Sequence, residues 1–303
     1  MKKSHIGFIG IGVMGAAMAE NLAAAGYDLT LHDINRTLAD KLASAHDNMT
    51  VEDTPRAVAE VSEIVITMLP SGKHVRDVTL AKSGLIEGFQ SGDLLLDTSS
   101  SEPWLTVETS KSLKAKGVDM VDAPVSGALS GAQSGRLVFM VGGEKEPLSR
   151  ALPLLQIMGK QIFHLGPLGT GHAMKSINNL ITAMTFMATA EGLTIGKRFG
   201  LDPDVMTDVL NVSTGMSWIS QTHIKQRITS RKFDDPFKLA LMVKDIGIAL
   251  ELASSQGLSL PLSSFGQSLW EEAKQHEDKD SSISNMVRWI EDMTKTEITS
   301  GNL

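Results

Sequence analysis

The stretch His5-Ile6-Gly7-Phe8-Ile9-Gly10-Ile11-Gly12-Val13-Met14-Gly15 decides the fold. Residues 5–9 form a short apolar run of strand length, and residues 16–25, which follow the glycines, are amphipathic. A strand, a turn with three spaced glycines and a helix are the opening of a doubly wound α/β sheet. In that setting Gly10 permits the tight turn, Gly12 lets backbone approach a pyrophosphate, and Gly15 lets the helix pack close to the strand. The free N–H groups and positive dipole end of the helix then face the phosphates. Alone, the glycine pattern marks no more than a turn. Flanked by strand and helix, Gly10, Gly12, Met14 and Gly15 are expected to cradle a dinucleotide.

The next apolar run, Leu29-Thr30-Leu31-His32, ends in Asp33, 18 residues after Gly15. A carboxylate there can accept both adenosine ribose hydroxyls and would repel a 2′-phosphate, which favours NAD over NADP. Arg36 can offset that repulsion in part, and Asp33 can also cap the following helix. Further apolar runs at residues 64–68, 94–97, 118–121, 137–141 and 161–164 alternate with helix-like segments. They lack strict polar alternation, as strands covered on both faces do, so the sheet is expected to be largely parallel.

After Gly166-Pro167-Leu168-Gly169-Thr170-Gly171 the pattern changes. Residues 172–198 contain no proline, carry glycine only at 192 and 196, and are apolar on nearly every face. Such a helix, about 40 Å long, suits a buried spine between two domains. Asp202-Pro203 starts another helix, Pro236 precedes a third, and Gly257 closes the segment 238–256. Residues 277–282 read as a loop and 299–303 as a frayed tail. The fold class is therefore α/β: an N-terminal Rossmann-type dinucleotide-binding domain over residues 1–165, then an all-α C-terminal domain over 166–303 for substrate binding and oligomerisation. The long interdomain helix, at about 172–198, joins them.

Composition narrows the partners. The chain has 303 residues, 42% hydrophobic and 21% charged, as expected of a folded globular protein. Its net charge of −7 opposes binding to nucleic acid or an anionic membrane. The lack of cysteine rules out thiol chemistry and suits a reducing compartment, and the eight histidines form no HxH or HxxxH pair, so no metal site is expected. Met1-Lys2-Lys3-Ser4 leads into a stretch that mimics a signal peptide, yet glycines at 7, 10, 12 and 15 interrupt it. No run approaches the roughly 18 apolar residues of a membrane span. The cytoplasm is the expected location.

Two segments carry candidate chemistry. Lys175, Asn179 and Thr182 lie at i, i+4 and i+7 on the long helix, with Asn178 beside them, so they share a face. A polar stripe on an apolar helix costs free energy unless it lines a cavity or is paired. A lysine partly desolvated in a cleft can exchange a proton with a carbonyl oxygen. The same spacing also fits a snorkelling or ion-paired lysine. The second segment is Asp122-Ala123-Pro124-Val125-Ser126-Gly127-Ala128-Leu129-Ser130-Gly131, after the run at 118–121. Its small residues can expose N–H groups and a hydroxyl to a carboxylate, or form a plain glycine-rich loop.

Together these motifs resemble the β-hydroxyacid dehydrogenase family, which includes 3-hydroxyisobutyrate dehydrogenases, over nearly the whole chain. The similarity rests on Gly10-Ile11-Gly12-Val13-Met14-Gly15, Asp122-Ala123-Pro124-Val125-Ser126-Gly127, Gly169-Thr170-Gly171 with Lys175-Ser176-Ile177-Asn178-Asn179, and Lys244-Asp245. The resemblance implies that Lys175 is catalytic, that Asn179 binds substrate, and that Ser126 and Gly127 hold its carboxylate. It implies that Leu69, Pro70 and Ser100 line the cofactor and that Lys244 reaches toward cofactor and substrate. Three positions depart from the family pattern. Ala128 replaces a common glycine, Ser100 replaces a frequent threonine, and His74 stands where an asparagine can touch cofactor.

The expected activity is NAD-dependent interconversion of a small 3-hydroxy acid and its aldehyde or keto acid, with NADP possible and Lys175 as general acid/base. Closure of the domains around Lys175 would exclude water. A homodimer or homotetramer is expected. Related folds supply the alternatives. Imine reductases usually lack a lysine at position 175, 6-phosphogluconate dehydrogenase-like enzymes carry His-Asn where this chain has Asn178-Asn179, and a non-catalytic nucleotide-binding protein would have lost Lys175. Residues 213–218 are expected near the substrate, with Trp218 either a pocket wall or a packing residue.

Overall fold

Most of the apolar runs too short for helices become strands buried on both faces; the run at 161–164 does not, with Phe163 half exposed. A computed structural model describes residues 5–301; the first four residues, with the leader-like start, and Asn302 and Leu303 of the expected tail lie outside the described residues. The chain divides into two compact units, Met1–Lys175 and Ser176–Leu303. The first begins β1 (Ile6–Ile9), α1 (Val13–Ala24), β2 (Leu29–His32), α2 (Arg36–Ala43), β3 (Met49–Val51), α3 (Pro55–Glu60), β4 (Ile64–Thr67), α4 (Gly72–Leu80) and α5 (Leu85–Gly88). It continues with β5 (Leu94–Asp97), α6 (Pro103–Ala115), β6 (Asp119–Asp122), β7 (Val125–Ser126), α7 (Ala128–Gln133), β8 (Leu137–Gly142), α8 (Lys145–Met158) and β9 (Gly159–Gly166).

The sheet order is β3-β2-β1-β4-β5-β6-β8-β7, with β9 paired to β8. β1 to β6 are parallel, β8 runs antiparallel to β6 and β7, and β9 is parallel to β8. Successive strand residues feed opposite cores. Ile6, Phe8, Ile64, Ile66, Leu94 and Leu96 enter one cluster, while Ile9, Val65 and Leu95 enter the other. That division explains why the runs show no polar alternation. β3 and β7, three and two residues long, were not among the expected runs because so short a segment shows no period. Strand order reverses between β1 and β4, and ligands of open α/β sheets bind at the carboxyl ends beside such a switch.

α9 (Thr170–Phe199) leads out of the first unit and spans about 45 Å. The second unit then folds as α10 (Pro203–Asn211), α11 (Trp218–Thr222), a π-helical turn at Ile224–Thr229, α12 (Leu239–Ser255), α13 (Pro261–His276) and α14 (Asn285–Thr294). Asp202 caps α10 as the Asp-Pro start implies, accepting from Asp204 N–H (2.9 Å) and Val205 N–H (3.1 Å). Gly257, at φ +70°, follows α12. Ala183, Phe186, Ala190 and Leu193 bury one face of α9 in the core of this unit, where Trp270 Nε1 donates to Ala183 O. The expected all-round burial of α9 is not met: Ile181, Ile195 (72% exposed) and Phe199 (84% exposed) face outward. Nor does the tail fray before Gly301. Lys197 Nζ donates to Thr299 O (2.9 Å) and Gly301 O (3.1 Å), and Gly301 N–H donates to Asp202 Oδ2 (3.0 Å). Among the described residues no helix is long and apolar enough to cross a membrane.

Candidate active site

The glycine turn closes the carboxyl end of β1. Gly10 has φ +97°, and a Cβ there would lie 2.3 Å from Met68 O after β4. At Gly15 a Cβ would lie 1.9 Å from Gly10 O, so glycine is required by the close approach of α1 to the turn. Gly12 differs, because a Cβ there meets nothing within 4 Å. The packing of the chain itself does not demand glycine at this exposed N-cap of α1, and its absence of a side chain leaves the backbone open. Met14 is half-buried on the first turn of α1.

Asp33 connects the second strand to this turn, its Oδ2 accepting from Ile11 N–H (2.6 Å) and its Oδ1 from Asn35 N–H (2.7 Å). Each carboxylate oxygen keeps a lone pair, enough for two ribose hydroxyls. The expected offset by Arg36 is weak, because its guanidinium is hydrogen-bonded to Asp40 and Asp53. Leu69, Pro70 and Ser100 follow β4 and β5, and Ser99 Oγ ties the two loops by accepting from Leu69 N–H (2.9 Å). His74 bonds Ser71 Oγ through Nδ1 (2.8 Å). These residues fit a dinucleotide: open backbone at Gly12, a helix N-terminus and the acid that follows β2 lie at one edge of the sheet.

Farther along the same edge, Ser126 closes β7 and Gly127 has φ +131°. Ala128 also adopts a left-handed φ, +54°, which costs a residue with a Cβ roughly 1–2 kcal/mol. The family glycine at this position therefore has a conformational reason, and alanine adds both strain and a methyl group. Lys175 is half-buried on α9, one turn beyond residues whose N–H groups bond to Asp122 at the end of β6. Thr182, on the polar face, donates its hydroxyl to Asn178 O (2.9 Å).

In the second unit, Asn179 is buried and its Nδ2 donates to Asp245 Oδ2 (2.6 Å), while Asn178 Nδ2 donates to Asn179 Oδ1 (3.0 Å). Lys244 Nζ lies 3.0 Å from Asp245 Oδ1. Asp245 thus joins Asn179 to Lys244, a link that the dipeptide Lys244-Asp245 does not reveal by itself. Its partner Asn179 lies 66 positions away. An acid within the mostly apolar first half of α12 was the available signal. Trp218, half exposed, packs on the His223 ring at 4.5 Å between centroids.

Two family descriptions match: the NAD binding domain of 6-phosphogluconate dehydrogenase over residues 5–166, and the NAD-binding domain of NADP-dependent 3-hydroxyisobutyrate dehydrogenase over residues 169–290. The mitochondrial 3-hydroxyisobutyrate dehydrogenase of Mus musculus is 35% identical over 274 residues, covering 88% of this chain and 81% of its own. The chain belongs to the β-hydroxyacid dehydrogenase family. The NAD-dependent L-serine dehydrogenase of Pseudomonas aeruginosa, another relative, is 36% identical and covers 88% of this chain and 91% of its own. A solved structure of Mycobacterium tuberculosis 3-hydroxyisobutyrate dehydrogenase with L-serine superposes with a TM-score of 0.85 at 29% identity, covering 95% of this chain and 99% of that one. As a β-hydroxyacid dehydrogenase, this chain is an NAD(P)-linked oxidoreductase of hydroxy acids, in preference to an imine reductase or a decarboxylating enzyme.

Proposed function

We propose that the chain interconverts a small 3-hydroxy acid and its aldehyde or keto acid, with NAD preferred over NADP and Lys175 as the proton carrier. One observation carries the reading: the helix bearing Lys175 is hydrogen-bonded to the end of β6, in the segment that continues to Ser126 and Gly127. A bound dinucleotide would supply the hydride for reduction of the carbonyl carbon. Lys175 Nζ donates its proton to the forming alkoxide, and oxidation reverses both transfers. Ser126 and the Gly127 backbone hold the carboxylate, with the Ala128 methyl narrowing that end toward small substrates. Asn179 orients the substrate hydroxyl, and Lys244 serves cofactor and substrate. Gly10, Gly12, Met14 and Gly15 would hold the pyrophosphate of the dinucleotide and Asp33 its ribose, with Leu69, Pro70 and Ser100 lining the cofactor site.

The NAD preference is supported by Asp33 and by the commitment of Arg36 to two acids. Replacing Lys175 by Ala should lower kcat by about 100- to 10,000-fold while leaving NADH affinity near wild type. Wild-type turnover, or equal losses of turnover and affinity, would remove Lys175 from the chemistry.

The exposed apolar residues Ile195 and Phe199 on α9, with Val205, Val209 and Val212 on and after α10, support a homodimer or homotetramer. A light-scattering mass equal to one 32.5 kDa chain would contradict it. The cysteine-free composition suits the cytoplasm, which recovery of the protein from a membrane or organelle fraction would contradict.

A further inference from the structure

Asp97 and Asp122 end the adjacent strands β5 and β6 as direct register partners, and both are fully buried. Buried carboxylates are costly unless hydrogen-bonded and compensated. Asp97 finds its donors around its own strand end: Thr67 Oγ1 (2.9 Å) and Ser99 N–H (3.0 Å) on Oδ1, and Ser101 Oγ (2.9 Å) on Oδ2. Asp122 takes its bonds from the start of α9. Gly169 N–H donates to Oδ1 (2.7 Å) and His172 N–H to Oδ2 (2.8 Å).

The His172 ring fills the space between the two acids, with Nε2 3.5 Å from Asp97 Oδ2 and Nδ1 3.7 Å from Asp122 Oδ2. Thr106 Oγ1, 2.8 Å from Nδ1, fixes the ring. Glycine is demanded where the helix meets the carboxylate. A Cβ on Gly171 would stand 2.2 Å from Met140 O and 2.8 Å from Asp122 Oδ2, and one on Gly142 would stand 2.4 Å from Asp122 Oδ1. Negative charge at a helix N-terminus also complements the helix dipole.

Lys175 comes three residues after His172, and Ser126 four residues after Asp122. We propose that Asp122, backed by His172, is a positioning residue of the reaction, holding the first turn of α9, and so Lys175, in register with the Ser126–Gly127 segment. The inference rests on Lys175 being the proton carrier. Asp122 acts through the helix and not on the substrate. Asparagine at 122 keeps the shape but turns one acceptor into a donor, so either the Gly169 or the His172 N–H loses its partner. The helix start then shifts, and a displacement of about 1 Å at a reacting group costs on the order of 100-fold in rate.

The test compares Asp122→Asn, His172→Asn and Lys175→Ala with wild type in the full chain, reading kcat, KM, NADH affinity and the melting transition. Asp122→Asn is expected to lower kcat roughly 100-fold, keep NADH affinity within about twofold, and raise the solvent deuterium isotope effect on kcat as proton transfer becomes slow. His172→Asn, which keeps both backbone bonds to Asp122, should show the same split more weakly and decides the matter if Asp122→Asn does not fold. Wild-type kcat in Asp122→Asn beside an inactive Lys175→Ala would overturn this inference alone. Parallel loss of folding, NADH binding and turnover in both cluster variants would leave a scaffold role and overturn it too. Full turnover in Lys175→Ala would remove the proton carrier and the inference together.

Discussion

Gly12 and Gly15 are the same residue type with different physical reasons, and that difference can be measured. A methyl at Gly15 would be forced against Gly10 O at 1.9 Å, whereas one at Gly12 enters open space at φ −72°. Gly12→Ala should therefore melt at or slightly above the wild-type temperature, because alanine restricts the unfolded chain by roughly 0.4–1 kcal/mol. Its NADH affinity should nevertheless fall about tenfold or more, as judged by fluorescence titration, since one lost charge-assisted contact is worth about 1.5–3 kcal/mol. Unchanged NADH affinity would contradict the reading of the turn. The strand–turn–helix at Gly10–Gly15 and the position of Asp33 after β2 were legible in the sequence because strand–turn–helix geometry sets them. Asp122, His172 and Asp245 were not, since their decisive partners lie 47 to 66 positions away.

At the scale of elements, the long helix was readable from the absence of proline and the position of its glycines, and α9 differs from the expectation by only a few residues. What could not be read was which of its apolar faces the chain itself would cover. The ends of the second unit were also hidden: the tie between Lys197, Asp202 and residues 299–301 joins side chains to backbone about a hundred positions away. Backbone N–H groups of Gly301, Val205 and Asp204, with the charge of Lys197, hold the Asp202 carboxyl below its ordinary value. A depressed carboxyl contributes stability above its unfolded pKa and loses it as the pH falls through the folded one. Asp202→Ala should thus lower the melting temperature at neutral pH, with the gap from wild type closing on acidification below the ordinary carboxyl range. A gap that does not change with pH would show that the charge of Asp202 contributes nothing.

For the whole molecule, fold class and family were legible because the recurring apolar runs between helix-like segments, the glycine turn and four ordered motifs point the same way. Family membership leaves the substrate open, since relatives of similar identity act on 3-hydroxyisobutyrate and on L-serine by name. The proposed reaction is NAD-linked and acts on a small 3-hydroxy acid held by its carboxylate. The direct measurement follows NADH absorbance with purified protein, NAD or NADP, and a panel of 3-hydroxy acids beside their methyl esters. Turnover is expected on at least one free acid, faster with NAD than with NADP and lost on esterification. Dinucleotide binding without turnover of any panel member, in either direction and with either dinucleotide, would contradict it.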